Sequence, residues 1–200
     1  MSPRPNAAER RTAQIIQAAT AAFAEKGFDG ATMEDIADRA GINKATIYLY
    51  FDSKDALIYA IAEELFAQEL NDLQAARDTP GSATERLAAY YEALIAEEAD
   101  VLPVMPIFYE FCALSLRRDD VRAVLAAFLD QSAALLEAII QEGVEQGEFA
   151  PTDARQAART LDALLSGTLL HGIYAPGETD IAAQLRYGIR MLFRGMVAPA

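Results

Sequence analysis

Met33-Glu34-Asp35-Ile36-Ala37-Asp38-Arg39-Ala40-Gly41-Ile42-Asn43-Lys44-Ala45-Thr46-Ile47-Tyr48-Leu49-Tyr50-Phe51-Asp52 is the stretch whose reading decides the fold. It reads as two helices of about two turns joined by a tight turn. Ala37 is small where the two helices must pack closely, Gly41 lets the backbone turn, and Ile47 fills the wedge between them. Thr32 can cap the first of these helices and Asn43 the second, over Lys44 to about Phe51. Together these are the marks of a helix-turn-helix, whose second helix can enter the major groove of DNA.

That second helix offers a reading surface. Asn43, Lys44 and Thr46 stand at its start, where backbone amides and the helix dipole favour a phosphate. Lys44 can meet a phosphate or a guanine edge, and Thr46 several base edges. Tyr48 and Tyr50 carry hydroxyls on apolar rings, suited to phosphates on the groove wall, and Leu49 can meet a thymine methyl. Lys54, opening the next helix, is another phosphate-type position. The alternative is a plain helical hairpin with its tyrosines in a core and its lysines in water.

Working outward, the pattern is helical almost throughout. Asn6 and Glu9 form a capping-box pattern, and Ile16, Ala19 and Phe23 share one face of the helix that follows. Gly27 can end it in a left-handed turn that folds Phe28 back onto Phe23. Ser53 can cap a long helix from Lys54 to about Arg77, which Thr79-Pro80-Gly81-Ser82 ends. Further helices are expected near Thr84–Ala99, Ile107–Leu116, Asp120–Gln146, Asp153–Tyr174 and Thr179–Val197, the breaks between them carrying Pro103, Pro106, Gly147 to Pro151, and Ala175-Pro176-Gly177. The fold class is all-α, with about nine helices.

Charge divides this chain in two. Its 200 residues carry a formal charge of −13. Residues 1–54 hold seven bases and seven acids, all three lysines among them; residues 55–200 hold ten arginines against twenty-three acids. An acidic body repels a polyanion, so any DNA contact belongs to the first segment. The bland alternative for the body is that its acids keep the protein soluble.

Other features exclude whole classes of function. The longest uncharged run, Ala163 to Gly177, is too short to span a bilayer, and no apolar segment follows Met1-Ser2-Pro3-Arg4-Pro5, so neither a membrane partner nor a secretory signal is expected. One cysteine and one histidine leave no disulfide, no zinc site and no cofactor to expect, and a cytoplasmic setting follows. No phosphate loop or nucleophile elbow is present, and Ser166 and Asp162 are badly placed to serve His171, so catalysis is not expected.

The run from Ala31 to Leu57, with Ala22-Phe23-Ala24-Glu25-Lys26-Gly27-Phe28 upstream, resembles the N-terminal domain of the tetracycline-repressor (TetR) family of bacterial regulators. Thr32, Ile36-Ala37, Ala40-Gly41, Tyr48, Phe51 and Lys54 carry the likeness, over about the first sixty residues. It implies a three-helix DNA-binding domain over 1–53 and a helical effector-binding and dimerisation domain over 54–200, with 54–77 as the connecting helix. It also implies that Thr32, Asn43, Lys44, Thr46, Tyr48 and Lys54 contact DNA, with Tyr50 a further candidate. Ala45 and Leu49 depart from the family's usual glycine and polar or aromatic residues, and put the base preference in question. The expected function is a ligand-responsive repressor released from a palindromic operator. The rival is a helical apolar-ligand-binding or dimerisation protein without a DNA role.

A palindrome needs a two-fold homodimer. Leu161, Leu165 and Leu169, with Leu185, Ile189, Leu192 and Phe193, carry more apolar surface than one helix side needs, and the resemblance implies a four-helix bundle with a partner. Internal packing competes for the same residues, and both roles are expected together. Tyr91, Met105, Phe108, Tyr109, Cys112 and Phe128 read either as core or as the lining of an effector cavity, which the resemblance favours. Glu110 and His171 are the polar groups to watch: Glu110 pairs with a cationic ligand or faces solvent, and His171 reads as a hydrogen-bonded core residue or a ligand contact. The effector expected is apolar or aromatic, or cationic if Glu110 is buried.

Overall fold

The computed structural model describes residues 6–150, 152–175, 177 and 180–196. Met1–Pro5, Pro151, Pro176, and the expected limits of the last helix at Thr179 and Val197 lie outside the described residues. The regular elements are helices: α1 (Ala7–Gly30), α2 (Met33–Arg39), α3 (Lys44–Ile47), α4 (Lys54–Asp78), α5 (Ala83–Ala96), α6 (Glu98–Val101), α7 (Met105–Ser115), α8 (Asp119–Glu145), α9 (Ala154–Tyr174) and α10 (Ile181–Met196). Nine of these are the expected segments. The tenth, α6, is a single turn running into a 3-10 turn at Leu102–Val104.

Local chemistry sets the helix ends. Asn6 accepts from the Glu9 amide at 2.9 Å while the Glu9 carboxylate accepts from the Asn6 amide at 2.8 Å. Gly27 leaves the helical conformation at φ +71°, and the Phe28 ring comes back to 5.6 Å from Phe23. The same reciprocal cap starts α2 at Thr32–Asp35 and α5 at Ser82–Glu85. Ser53 caps α4 by accepting from the Ala56 amide at 3.2 Å.

The chain forms two compact units. The first comprises Met1–Leu65 and Pro103–Ala123. Its core holds Ile15, Ala19, Phe23, Ile36, Ile47 and Leu57, all essentially inaccessible. α7 packs on α1, and its fully buried Phe111 ring lies 6.1 Å from Tyr59 of α4. The unit therefore runs past residue 53, because the first three turns of α4 and the whole of α7 bury their apolar faces in it.

The second unit comprises Phe66–Leu102 and Val124–Ala200. Leu73, Leu87, Leu136, Ile139, Ile140 and Phe149 form its centre. α9 and α10 approach closely at Gly188, where a Cβ would stand 2.7 Å from the Leu164 side chain, so any larger residue would have to push Leu164 aside. α8 is long and apolar enough to cross a membrane by length and composition alone. Here Asp130 and Glu137, in its middle, both pair with Arg155 of α9, and its Leu136, Ile139 and Ile140 lie in the core.

Candidate nucleic-acid interface

The turn between α2 and α3 follows the sequence expectation in detail. Gly41 takes φ +63°, a conformation that side chains with a Cβ avoid. The Ile42 amide donates to the Ala37 carbonyl at 2.9 Å, and Ala37 and Ile47 are both fully buried. Asn43 caps α3, its Oδ1 accepting from the Thr46 amide at 2.8 Å and from the Thr46 hydroxyl at 2.9 Å. α3 is shorter than expected. After Ile47 the chain tightens into turns, with Leu49 and Tyr50 donating back three residues to Thr46 and Ile47.

This tightening sets what faces outward. Ile47 and Phe51 anchor the segment in the core, and the three residues between them are displayed. Tyr48 is 44% exposed, Leu49 81% and Tyr50 38%. Burying Leu49 against a partner would stabilise a complex by roughly 1.5–3 kcal/mol, whereas leaving it in water gains nothing for the fold.

The expected polar contacts are in varied states. Lys44 is exposed and pairs with Glu34 at 3.1 Å, which raises its pKa above the ordinary lysine value. The Thr32 hydroxyl is engaged at home: it donates to Asp35 at 2.6 Å and accepts from the Asp35 amide at 3.1 Å. Hydrogen bonds from Lys26, then from Thr32, hold the Asp35 carboxyl well below the usual range. Lys54 turns inward, donating to the Phe28 carbonyl at 2.6 Å with its ammonium 4.5 Å over the Phe28 ring. It neutralises the exposed carbonyls at the end of α1. Arg39 pairs with Glu25, and Arg11 donates to Gln14 at 2.8 Å.

In the second unit the seven expected dimer residues pack into their own subunit. Leu161, Leu185 and Ile189 are buried, and Leu165, Leu169, Leu192 and Phe193 lie half-buried against the same core. The large apolar side chains turned outward are different: Leu129 on α8, Tyr174 at the end of α9, and Tyr187 with Met191, one turn apart on α10. The expected pocket residues divide between the units, Met105, Phe108, Tyr109, Glu110 and Cys112 in the first, Tyr91, Phe128 and His171 in the second. Glu110 and His171 are both exposed, which corrects the expectation of a core histidine and leaves Glu110 on the solvent-facing side of its two readings.

A polar group that sequence reasoning missed lies inside the second unit. The Tyr90 hydroxyl donates to the Glu69 carboxylate, and Ser132 donates to Asp162 at 3.2 Å. Burial raises the Glu69 carboxyl and pushes Asp162 up to about 6. Neither acid stands in a motif; only the meeting of four helices assembles them.

Two family models match the chain. Residues 15–61 match the bacterial regulatory proteins of the tetR family, and residues 83–194 match the C-terminal domain of BetI-type transcriptional repressors. The chain belongs to the TetR family. The regulator is 29% identical to the HTH-type transcriptional regulator BetI of Burkholderia thailandensis over 188 residues, 92% of each chain. It is 25% identical to the transcriptional regulator FadR of Bacillus subtilis, solved in complex with stearoyl-CoA, with a TM-score of 0.71 over 92% of this chain and 98% of that one. A TetR transcription regulator of Haloarcula marismortui shares the fold at a TM-score of 0.83 and 20% identity, covering 94% of this chain and 99% of that one. The regulator is thus a DNA-binding transcription factor with a helix-turn-helix of the TetR kind.

Proposed function

We propose that the regulator is a repressor that binds a palindromic operator as a homodimer and leaves it when a small molecule binds the second unit. The observation that carries this is the display of Tyr48, Leu49 and Tyr50 between two buried anchors. A helix-turn-helix that did not read DNA would have no use for an exposed leucine flanked by two half-exposed tyrosines. Lys44 and Thr46 serve base edges or phosphates beside them, Tyr48 and Tyr50 the phosphates, and Leu49 a thymine methyl. Asn43 sets the start of α3 through its cap. Thr32 and Lys54 support the interface by holding α2 and the end of α1 in place. Arg10 and Arg11, near the start of α1, join Lys44 as the basic side chains that contact phosphates.

Two-fold pairing through Tyr174, Tyr187 and Met191 would set two reading helices about one turn of DNA apart, roughly 34–36 Å. The site of action is the cytoplasm, where the operator lies. No catalytic role is proposed.

Release needs an element that both sites bias. α4 belongs to both units, Lys54 to Leu65 in the first and Phe66 to Asp78 in the second. An effector that binds better to a state with displaced α4 helices would pull the two reading helices out of register, by no more than its differential affinity for the two states. The effector is apolar or aromatic in bulk, matching the aromatic residues of the second unit. Titrating the chain's own upstream intergenic DNA in a gel shift tests the reading: a discrete complex of dimer stoichiometry supports it, and no retardation at micromolar protein refutes it.

A further inference from the structure

The turn between α7 and α8 is built like the reading segment, as a short exposed stretch between buried anchors. Leu114 and Ser115 before it and Val121 after it are buried, and Leu116 to Asp120 between them are all exposed. The Arg117 and Arg118 amides both donate to the Leu114 carbonyl at 3.0 Å, which closes α7 and turns the chain outward. Leu116 is 80% exposed. Among the described residues of the first unit, the other exposed large apolar side chains are Tyr48, Leu49 and Tyr50, all in the reading segment.

The turn also gathers charge. Arg117, Arg118 and Arg122 are the three of the ten arginines of residues 55–200 that belong to the first unit. Arg118 pairs with Asp120 and Arg122 with Asp119. Arg117 is exposed, and among the described residues its guanidinium has no ion-pair or hydrogen-bond partner. One positive charge is therefore left over, on a side chain that the fold does not use.

The place of the turn follows from the run of α7 along α4. The Phe111 and Tyr59 rings meet at 6.1 Å, and seven residues after Phe111 the Arg118 guanidinium lies within electrostatic reach of Asp55, one turn before Tyr59. The end of α7 thus lies toward the start of α4. That start follows the reading segment directly, three residues after its anchor Phe51. An unpaired arginine at the reading end of a DNA-binding unit is complementary to the phosphates that flank the groove.

We propose that the turn between α7 and α8 is a second contact to the operator backbone, with Arg117 taking a phosphate and Leu116 lying against the neighbouring deoxyribose. It extends the interface beyond the first 54 residues, to which charge alone would confine it. A backbone contact of this kind adds affinity and fixes orientation without adding base preference. The inference rests on the operator-binding reading and enlarges the surface that serves it.

Anisotropy titration of the full chain on its upstream intergenic DNA, at several salt concentrations, tests it. Arg117 of two subunits releases counterions from two phosphates beyond those of Arg10, Arg11 and Lys44. Arg117→Ala should therefore make the log–log salt slope shallower by about 2 and weaken binding at least about fivefold near 0.1 M salt. The loss should be uniform across singly altered operators, and Arg117→Lys, which keeps the charge, should restore the slope. Arg77→Ala removes the same charge from the far end of α4, in the second unit, and should leave the slope as it was. Leu116→Ala should weaken binding about twofold or more with the slope unchanged. A wild-type slope in Arg117→Ala, an equal change in Arg77→Ala, a loss confined to one altered base pair, or wild-type affinity in Leu116→Ala overturns the proposal. If the unaltered chain binds its operator in that experiment, only this inference falls. If the unaltered chain binds no DNA, the repressor reading falls and this inference with it.

Discussion

The Lys44 ammonium, at the start of α3, donates at 3.1 Å to the Glu34 carboxylate near the start of α2, and both side chains are more than half exposed. An exposed pair of this kind contributes about 0–1 kcal/mol. Binding DNA must exchange that partner for a phosphate or a base edge.

Glu34→Gln should therefore tighten operator binding by up to about fivefold, because it frees Lys44 and removes a negative charge from the interface. Lys44→Ala should weaken it by roughly 1–3 kcal/mol at one base pair if a guanine is read, and uniformly across sequences if a phosphate is. Fluorescence anisotropy with a set of singly altered operators distinguishes the two.

Lys54 makes the opposite kind of prediction. Its ammonium holds the Phe28 carbonyl at 2.6 Å and lies over the Phe28 ring, so Lys54→Met should lower stability by about 1–2 kcal/mol. Chemical denaturation without DNA reads this directly. A lysine that served phosphates alone would leave the midpoint where it was.

On α10 the outward and inward faces can be told apart by substitution. Tyr187→Glu and Met191→Glu should yield folded monomers by sedimentation, since both side chains are more than half exposed. Leu185→Ala, on the buried face, should instead destabilise the subunit by about 2–5 kcal/mol. If Tyr187→Glu stays dimeric, the pairing surface lies elsewhere.

Asp162 gives a pH signature. Its carboxyl titrates at about 6 in the folded chain against an ordinary value of 3.8, mainly through burial, with Ser132 on α8 pulling the other way and the acid Glu69 and the tyrosines 90 and 91 of α4 and α5 around it. The folded state thus favours the protonated form. This group destabilises the fold fully above pH about 6, and the penalty fades as pH falls toward 4. Asp162→Asn should raise the melting temperature at pH 8, and the difference from wild type should shrink at pH 5. A constant difference across that range would mean that the carboxyl titrates normally.

What could be read from the sequence was local. The Ala37–Gly41–Ile47 spacing, the Asn6–Glu9 box and the Phe28–Phe23 contact each depend on neighbours within about ten residues, and each has the expected geometry. The short α3 was not legible, because Phe51 is drawn into the core and the chain must tighten to reach it. Lys54 was read as a surface cation because its carbonyl partner lies twenty-six residues upstream. The leucines of α9 and α10 looked two-sided in sequence. Only the packing of α10 on α9 and α5 decides that Leu185 and Ile189 face inward while Tyr187 and Met191 face out. Glu69 and Asp162 were missed for the same reason, since their partners come from other helices.

The central claim is that the segment from Asn43 to Phe51 is a DNA-reading edge used twice in a symmetric pair. Its most direct test is an anisotropy titration of the chain against its upstream intergenic DNA over a range of salt concentrations, with Leu49→Ala and Tyr48→Phe alongside. With Arg10, Arg11 and Lys44 contributing from both subunits, six phosphate contacts give a log–log salt slope of roughly −5. Both variants should fold and dimerise normally yet bind several-fold more weakly. A salt-independent signal, or variants that bind as well as wild type, would contradict the account.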